Sequence, residues 1–111
     1  MGTAVDIDAT FRALADPVRR RAIEQLRAGP ASMTGLARPL RLSLPSVSKH
    51  LDILEAGGIV RSTKTGRVRT YRLVPGRLAV AEYWLAKQRT LWERRLDQLD
   101  NHLKSLKGED T

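Results

Sequence analysis

Between Ser43 and His50 the chain carries Ser43, Ser46, Ser48, Lys49 and His50: three hydroxyls, an ammonium and an imidazole within eight positions. Short hydroxyls followed by a cation and a ring nitrogen suit hydrogen bonding to base edges and phosphate oxygens. A second polar set, Lys64, Arg67 and Arg69, is wholly cationic. Bond-breaking chemistry is poorly supplied by comparison. The chain has no cysteine, which excludes thiol nucleophiles, thiolate metal sites, disulfides and thiol redox sensing. No acid pair stands beside a histidine and no glycine-rich phosphate loop is present, so an enzyme is not expected.

The charge balance favours the same kind of partner. Lys and Arg number 20 against 12 for Asp and Glu, a formal charge of +8 and a sequence pI near 10.8. From Arg41 to Arg77 there are eight basic and two acidic residues, a net +6, whereas residues 78–111 carry six of each sign. Charge concentrated in one third of the chain implies a docking face for a polyanion. With 111 residues and 41% hydrophobic content, the chain is read as a single domain, 1–111, with one modest core. No stretch near Met1–Asp8 is apolar enough for a signal peptide and no run approaches a membrane span, so no membrane partner is expected and the cytoplasm is the default compartment.

Caps and periodicity place these groups on elements. Phe11 and Leu14 suggest a short first helix that ends before Asp16-Pro17, where an N-cap and a proline at the first helical position open a second. That helix presents Val18, Ala22, Ile23 and Leu26 on one face and Arg19, Arg20, Arg21, Glu24 and Arg27 around it, until Gly29-Pro30 stops it. Its arginines either touch phosphate or form a solvated face paired to Asp16 and Glu24. Ser32 or Thr34 opens a short third helix with Leu36, Ala37 and Leu40, whose last turn Pro39 should tighten. Ser43 caps a fourth helix, closed by Gly57-Gly58, with Leu44, Val47, Leu51 and Leu54 as its apolar stripe. Ser46, Ser48, Lys49 and Asp52 then point away from the stripe, and His50 lies on its flank. His50 is either a contact group or packed on that flank, and Ser48 either a contact group or bonded back into its own helix.

After Gly58 the period changes. Residues 59–64 and 67–74 read as two strands of a hairpin turned at Thr65-Gly66, with a basic tip in solvent. In the second strand Arg67, Arg69, Tyr71 and Leu73 share a face. A long last helix begins near Arg77. Leu78, Leu85, Trp92, Leu99 and Leu106 repeat every seven residues, with Leu96 and Leu103 four residues after Trp92 and Leu99. So small a domain leaves that seam uncovered, which predicts pairing with a second copy. Tyr83, Trp84 and Trp92 on this helix either line an effector pocket or fill the dimer core.

The expected fold class is therefore mostly α with a small β-hairpin: a winged helix-turn-helix, with the helix-turn-helix at about 34–56, the wing at about 59–74, and dimerisation through about 6–15 and 77–106. The partner it predicts is double-stranded DNA.

The runs Phe11-Arg-Ala-Leu-Ala-Asp-Pro-Val-Arg-Arg-Arg-Ala-Ile-Glu-Gln-Leu26, Leu42-Ser-Leu-Pro-Ser-Val-Ser-Lys-His-Leu51, Gly58-Ile-Val60 and Gly66-Arg-Val-Arg-Thr-Tyr-Arg-Leu73 resemble the arsenic-repressor-like (ArsR/SmtB) regulators over about residues 9–75. The resemblance implies a homodimeric repressor whose fourth helix reads the major groove, whose wing contacts the flanking minor groove or backbone, and whose first and last helices build the dimer. Ser43, Ser46, Ser48, Lys49, His50, Lys64, Arg67 and Arg69 are the candidate DNA contacts. Phe11, Leu85, Trp92, Leu96, Leu99 and Leu103 are the candidate dimer residues.

Departures from the family pattern bear on sensing. Where thiolate-sensing members carry Cys-x-Cys, this chain has Ser32-Met33-Thr34, with no soft ligand. On the last helix only His102, near Asp97 and Asp100, stands where zinc- or nickel-sensing members place two histidines and two carboxylates. No metal or other cofactor is expected, and any small-molecule effector is unspecified. Pro39 and Arg41 occupy places where members more often have a helix former and a glycine. Two other functions compete: a dimeric protein-interaction adaptor, and an architectural DNA binder without operator preference.

Overall fold

The computed structural model describes residues 6–109. The elements run α1 (Ile7–Leu14), α2 (Pro17–Arg27), β1 (Ala31–Ser32), α3 (Met33–Leu40), α4 (Leu44–Ala56), β2 (Val60–Thr65), β3 (Val68–Leu73) and α5 (Pro75–Glu109). This is the mostly helical winged helix-turn-helix that the patterning predicts. The chain divides into two units, one up to Ala81 and one from Glu82 onward.

Helices α1 to α4 each start on a side-chain acceptor that satisfies otherwise orphaned N–H groups. Asp6 accepts from the Ala9 N–H at 3.0 Å, Asp16 from Val18 and Arg19 at 2.8 and 3.2 Å, Ser32 from Gly35 at 3.1 Å, and Ser43 from Ser46 at 3.4 Å. The helix-turn-helix pair ends each helix the same way. After α3, Arg41 takes the left-handed conformation (φ 56°, ψ 44°), and the N–H groups of Arg41 and Leu42 donate to the carbonyls of Arg38 and Ala37. After α4, Gly58 takes it (φ +74°), and Gly58 and Ile59 donate to Glu55 and Leu54. Both are Schellman closures, one made with glycine and one with arginine.

Leu36, Val47, Leu51, Leu54 and Ile59 form the most deeply buried part of the core, closed by Leu26, Leu40 and Tyr71. Leu44 does not join them and is 48% exposed. It is the first residue of α4, and helical side chains lean toward the N-terminus, past the end of the packed stripe. Leu42 and Ile53, both partly buried, pack against the core as well. Gly57 lets α1 close on α4: a Cβ there would lie 2.8 Å from the Ala9 carbonyl oxygen and 3.0 Å from the Ala13 Cβ. The contact is fastened by the buried Thr10 hydroxyl, which donates to the Gly57 carbonyl at 2.9 Å.

The sheet has three strands in the order β1-β3-β2, all antiparallel. Periodicity predicts only the hairpin; β1, two residues long and paired as Ala31↔Tyr71 and Ser32↔Thr70, is too short to show a period. The hairpin pairs Thr65 with Val68, so its two-residue turn is Gly66-Arg67 and not Thr65-Gly66. Positive φ falls on Gly66 (+63°) at the first turn position, the type II′ pattern, while β-branched Thr65 stays in the strand. Arg67 is accordingly a turn residue and not part of a strand face. Helix α5 starts at Pro75, two residues before the expected Arg77, because proline suits the first helical position.

The second unit is the distal part of α5. There Leu85, Trp92, Leu96, Leu99 and Leu103 are 45–63% exposed.

Candidate nucleic-acid interface

Helix α4 holds the first set of candidate contacts. Its Ser43 hydroxyl caps the helix and lies 3.1 Å from the Ser46 hydroxyl, so these two groups hydrogen-bond to each other and organise the N-terminal turn. Ser46 and Ser48 are half-buried rather than fully outward, and Ser48 makes no side-chain hydrogen bond among the described residues. Lys49 is exposed. His50 is half-buried, and its Nδ1 lies 3.3 Å from Nη1 of Arg19.

Arg19 lies outside the apolar face of α2, where the patterning predicts either a phosphate contact or a solvated side chain; it is instead buried, 8% exposed. Its Nε donates to the Ala13 carbonyl at 2.9 Å and its Nη2 to the Arg12 carbonyl at 2.8 Å, both in the last turn of α1. A guanidinium there satisfies orphan carbonyls and faces the negative end of the helix dipole. Asp16 stands 3.9 Å from Nη1. The backbone N–H of Arg19, ahead of that of Val18 and the guanidinium, holds the Asp16 carboxyl below its usual 3.8 against the opposing effect of desolvation. One buried arginine thus joins the end of α1, the cap of α2 and helix α4 with its candidate contacts.

The wing holds the second set. Directly opposed residues share a face, so Lys64 stands beside Arg69 on the face of Ser62 and Tyr71, and Arg61 beside Arg72 on the other face. Both are like-charge pairs. Lys64, Arg67 and Arg69 are exposed, as are Arg61 and Arg72. Arg69 is anchored: its Nη1 donates to the Ser62 hydroxyl at 2.9 Å, which donates to Oε2 of Glu55 on α4 at 2.9 Å. This relay ties the wing to α4. Burial, with the nearby Glu55 carboxylate, pushes the Tyr71 phenol above its usual 10.0, so it stays neutral beneath these cations.

The structure therefore brings Ser43, Ser46, Ser48, Lys49 and His50 onto one helix and Lys64, Arg67 and Arg69 onto one hairpin. Among the described residues Lys49, Lys64, Arg67 and Arg69 form no salt bridge. Sequence reasoning missed Arg19, the Glu55–Ser62 relay and the Arg61–Arg72 pair. The last was within reach, since a turn placed on Gly66-Arg67 sets those arginines opposite each other.

Known proteins of similar sequence and structure share this architecture. The helix-turn-helix domain family matches residues 14–63. The HTH-type transcriptional regulator Rv2034 of Mycobacterium tuberculosis is 36% identical over 111 residues, the whole of both chains. The HTH-type transcriptional repressor SmtB of the same organism is 43% identical over 69 residues, covering 62% of this chain and 51% of that protein. An ArsR-like transcriptional regulator from Rhodococcus sp. RHA1 superposes with a TM-score of 0.84 at 32% identity, over 94% of this chain and 95% of that one. The chain belongs to the ArsR/SmtB family. As an ArsR/SmtB protein it is a DNA-binding transcriptional regulator and not an enzyme. Among the described residues there is no group of three or more His, Cys, Asp or Glu able to hold a metal, and no helix long and apolar enough to cross a membrane.

Proposed function

We propose that this protein is a homodimeric transcriptional repressor that binds an inverted-repeat operator. Helix α4 enters the major groove with Ser46, Ser48, Lys49 and His50 toward base edges, while Ser43 presents the helix N-terminus to a phosphate. The wing residues Lys64, Arg67 and Arg69 follow the flanking backbone or minor groove. The observation that carries this reading is the set of exposed cations on α4 and the wing that form no direct salt bridge among the described residues, two of them forced side by side in the hairpin. Like charges directly opposed destabilise a hairpin, and a polyanion offsets that cost. Repression is supported by the name of SmtB, a transcriptional repressor.

The dimer is supported by the exposed seam of α5, where Leu85, Trp92, Leu96, Leu99 and Leu103 recur at heptad spacing; Phe11 of α1 is a further candidate dimer contact. Two α4 helices related by a two-fold axis would meet half-sites about 10 bp or more apart. The compartment proposed with this reading is the cytoplasm, and the partner is double-stranded DNA.

Selection of bound fragments from genomic DNA tests the operator. The expected product is an imperfect palindrome held roughly 10³-fold or more tighter than random duplex. Recovery of fragments without a shared motif would leave only an architectural DNA binder. For the dimer, Leu99→Glu should convert a dimeric sedimentation profile into a monomeric one; a wild-type monomer would end that part of the proposal.

A further inference from the structure

We infer that Arg19 decides which hydrogen-bonding atom His50 offers to DNA. The inference rests on the DNA-facing reading of α4 and adds a positioning residue that touches no base.

A guanidinium has five N–H donors and no acceptor. Its Nη1 lies 3.3 Å from Nδ1 of His50, so Nδ1 must be the lone-pair nitrogen of that contact. A neutral imidazole has one N–H, which this contact leaves on Nε2. Arg19 has little freedom to relax the constraint: it is 8% exposed, and its Nε and Nη2 are held by the carbonyls of Ala13 and Arg12. Turning the ring over would set the Cδ2–H against the guanidinium, and a proton on Nδ1 would set an N–H there. Among the described residues Nε2 has no hydrogen-bond partner.

The consequence is directional. His50 reaches outward as a donor, suited to a phosphate oxygen, to N7 or O6 of guanine, to N7 of adenine or to O4 of thymine. It cannot accept from the amino groups of cytosine or adenine. The second histidine, exposed His102 on α5, has no such partner among the described residues and serves as a reference.

Long-range proton–nitrogen NMR of the free full-length protein near neutral pH reads the tautomer without DNA. His50 is expected to show the Nε2–H pattern, while His102 shows the mixture of a solvated ring. Arg19→Lys, which removes the fixed fork, should move His50 toward that mixture. A protonated Nδ1 in the wild-type ring, or an unchanged His50 pattern in a folded Arg19→Lys protein, overturns the inference.

The second arm uses a duplex enriched by the wild-type protein from random sequence and does not depend on Arg19→Lys folding. His50→Gln, whose amide reaches about as far as Nε2, should stay within about twofold of wild type, and His50→Asn, which reaches only the Nδ1 position, should lose about three- to tenfold. Equal affinities for the two variants would overturn the use of the donor. Failure to enrich any duplex would instead remove the DNA-facing reading, with the tautomer result still standing on its own.

Discussion

At the residue scale the candidate contacts differ in how they are held. Lys49 and Arg67 are exposed and form no salt bridge among the described residues, which suits them to the proposed role of point charges facing phosphate. Replacing either with alanine should weaken operator binding about tenfold or more in a low-salt gel shift, with the dimer and the melting midpoint unchanged. Unaltered affinity in both variants would remove the docking scheme. Arg69 and His50, by contrast, are each pinned by a neighbour, which suits them to the proposed role of oriented donors. Asp16 supplies a pH dependence. Its folded carboxyl ionises below the usual 3.8, so its contribution to stability is complete above the unfolded value and is lost as pH falls through the lowered one. Denaturant titrations between about pH 5 and pH 2 should show a flatter acid limb for Asp16→Asn, which keeps the cap acceptor without the charge.

Elements owe their junctions to single residues of opposite character. At the end of α4, Gly57 is needed for space, because α1 passes where its Cβ would sit. Gly57→Ala should lower stability by about 1–3 kcal/mol in urea unfolding, as the added methyl pushes backbone against backbone. At the end of α3, Arg41 is strained where glycine would not be, the sole positive-φ non-glycine among the described residues. Arg41→Gly should raise stability by about 0.5–1 kcal/mol in the same assay. A gain from the first substitution or a loss from the second would contradict the geometry of these two turns.

For the whole molecule, the unequal distribution of charge produces opposite responses to salt. The pairs Lys64↔Arg69 and Arg61↔Arg72 repel across the hairpin of the unliganded protein. Added salt screens them, so the melting temperature of the free protein should rise with ionic strength. DNA affinity should fall over the same range, with a log–log slope proportional to the number of phosphates contacted. Parallel responses in the two measurements would show that the cations of the wing and α4 do not meet phosphate.

The amino-acid sequence by itself determined the parts of this protein that depend on neighbours within a turn or two. Asp16, Ser32 and Ser43 cap helices because their side chains reach N–H groups two or three residues on, and Gly58 ends α4 because left-handed backbone suits glycine. The cationic wing and the heptad seam are equally local, and the family resemblance they accompany led to the right fold and the right class of function. Tertiary structure alone decided what depends on distant partners. The two-residue β1 exists only because β3 offers it a ladder. The fate of Arg19, written like any surface arginine of an amphipathic helix, was settled by α1 and by His50, 31 positions away. No periodicity encodes such a contact, because its free energy appears only once separately formed helices close on one another.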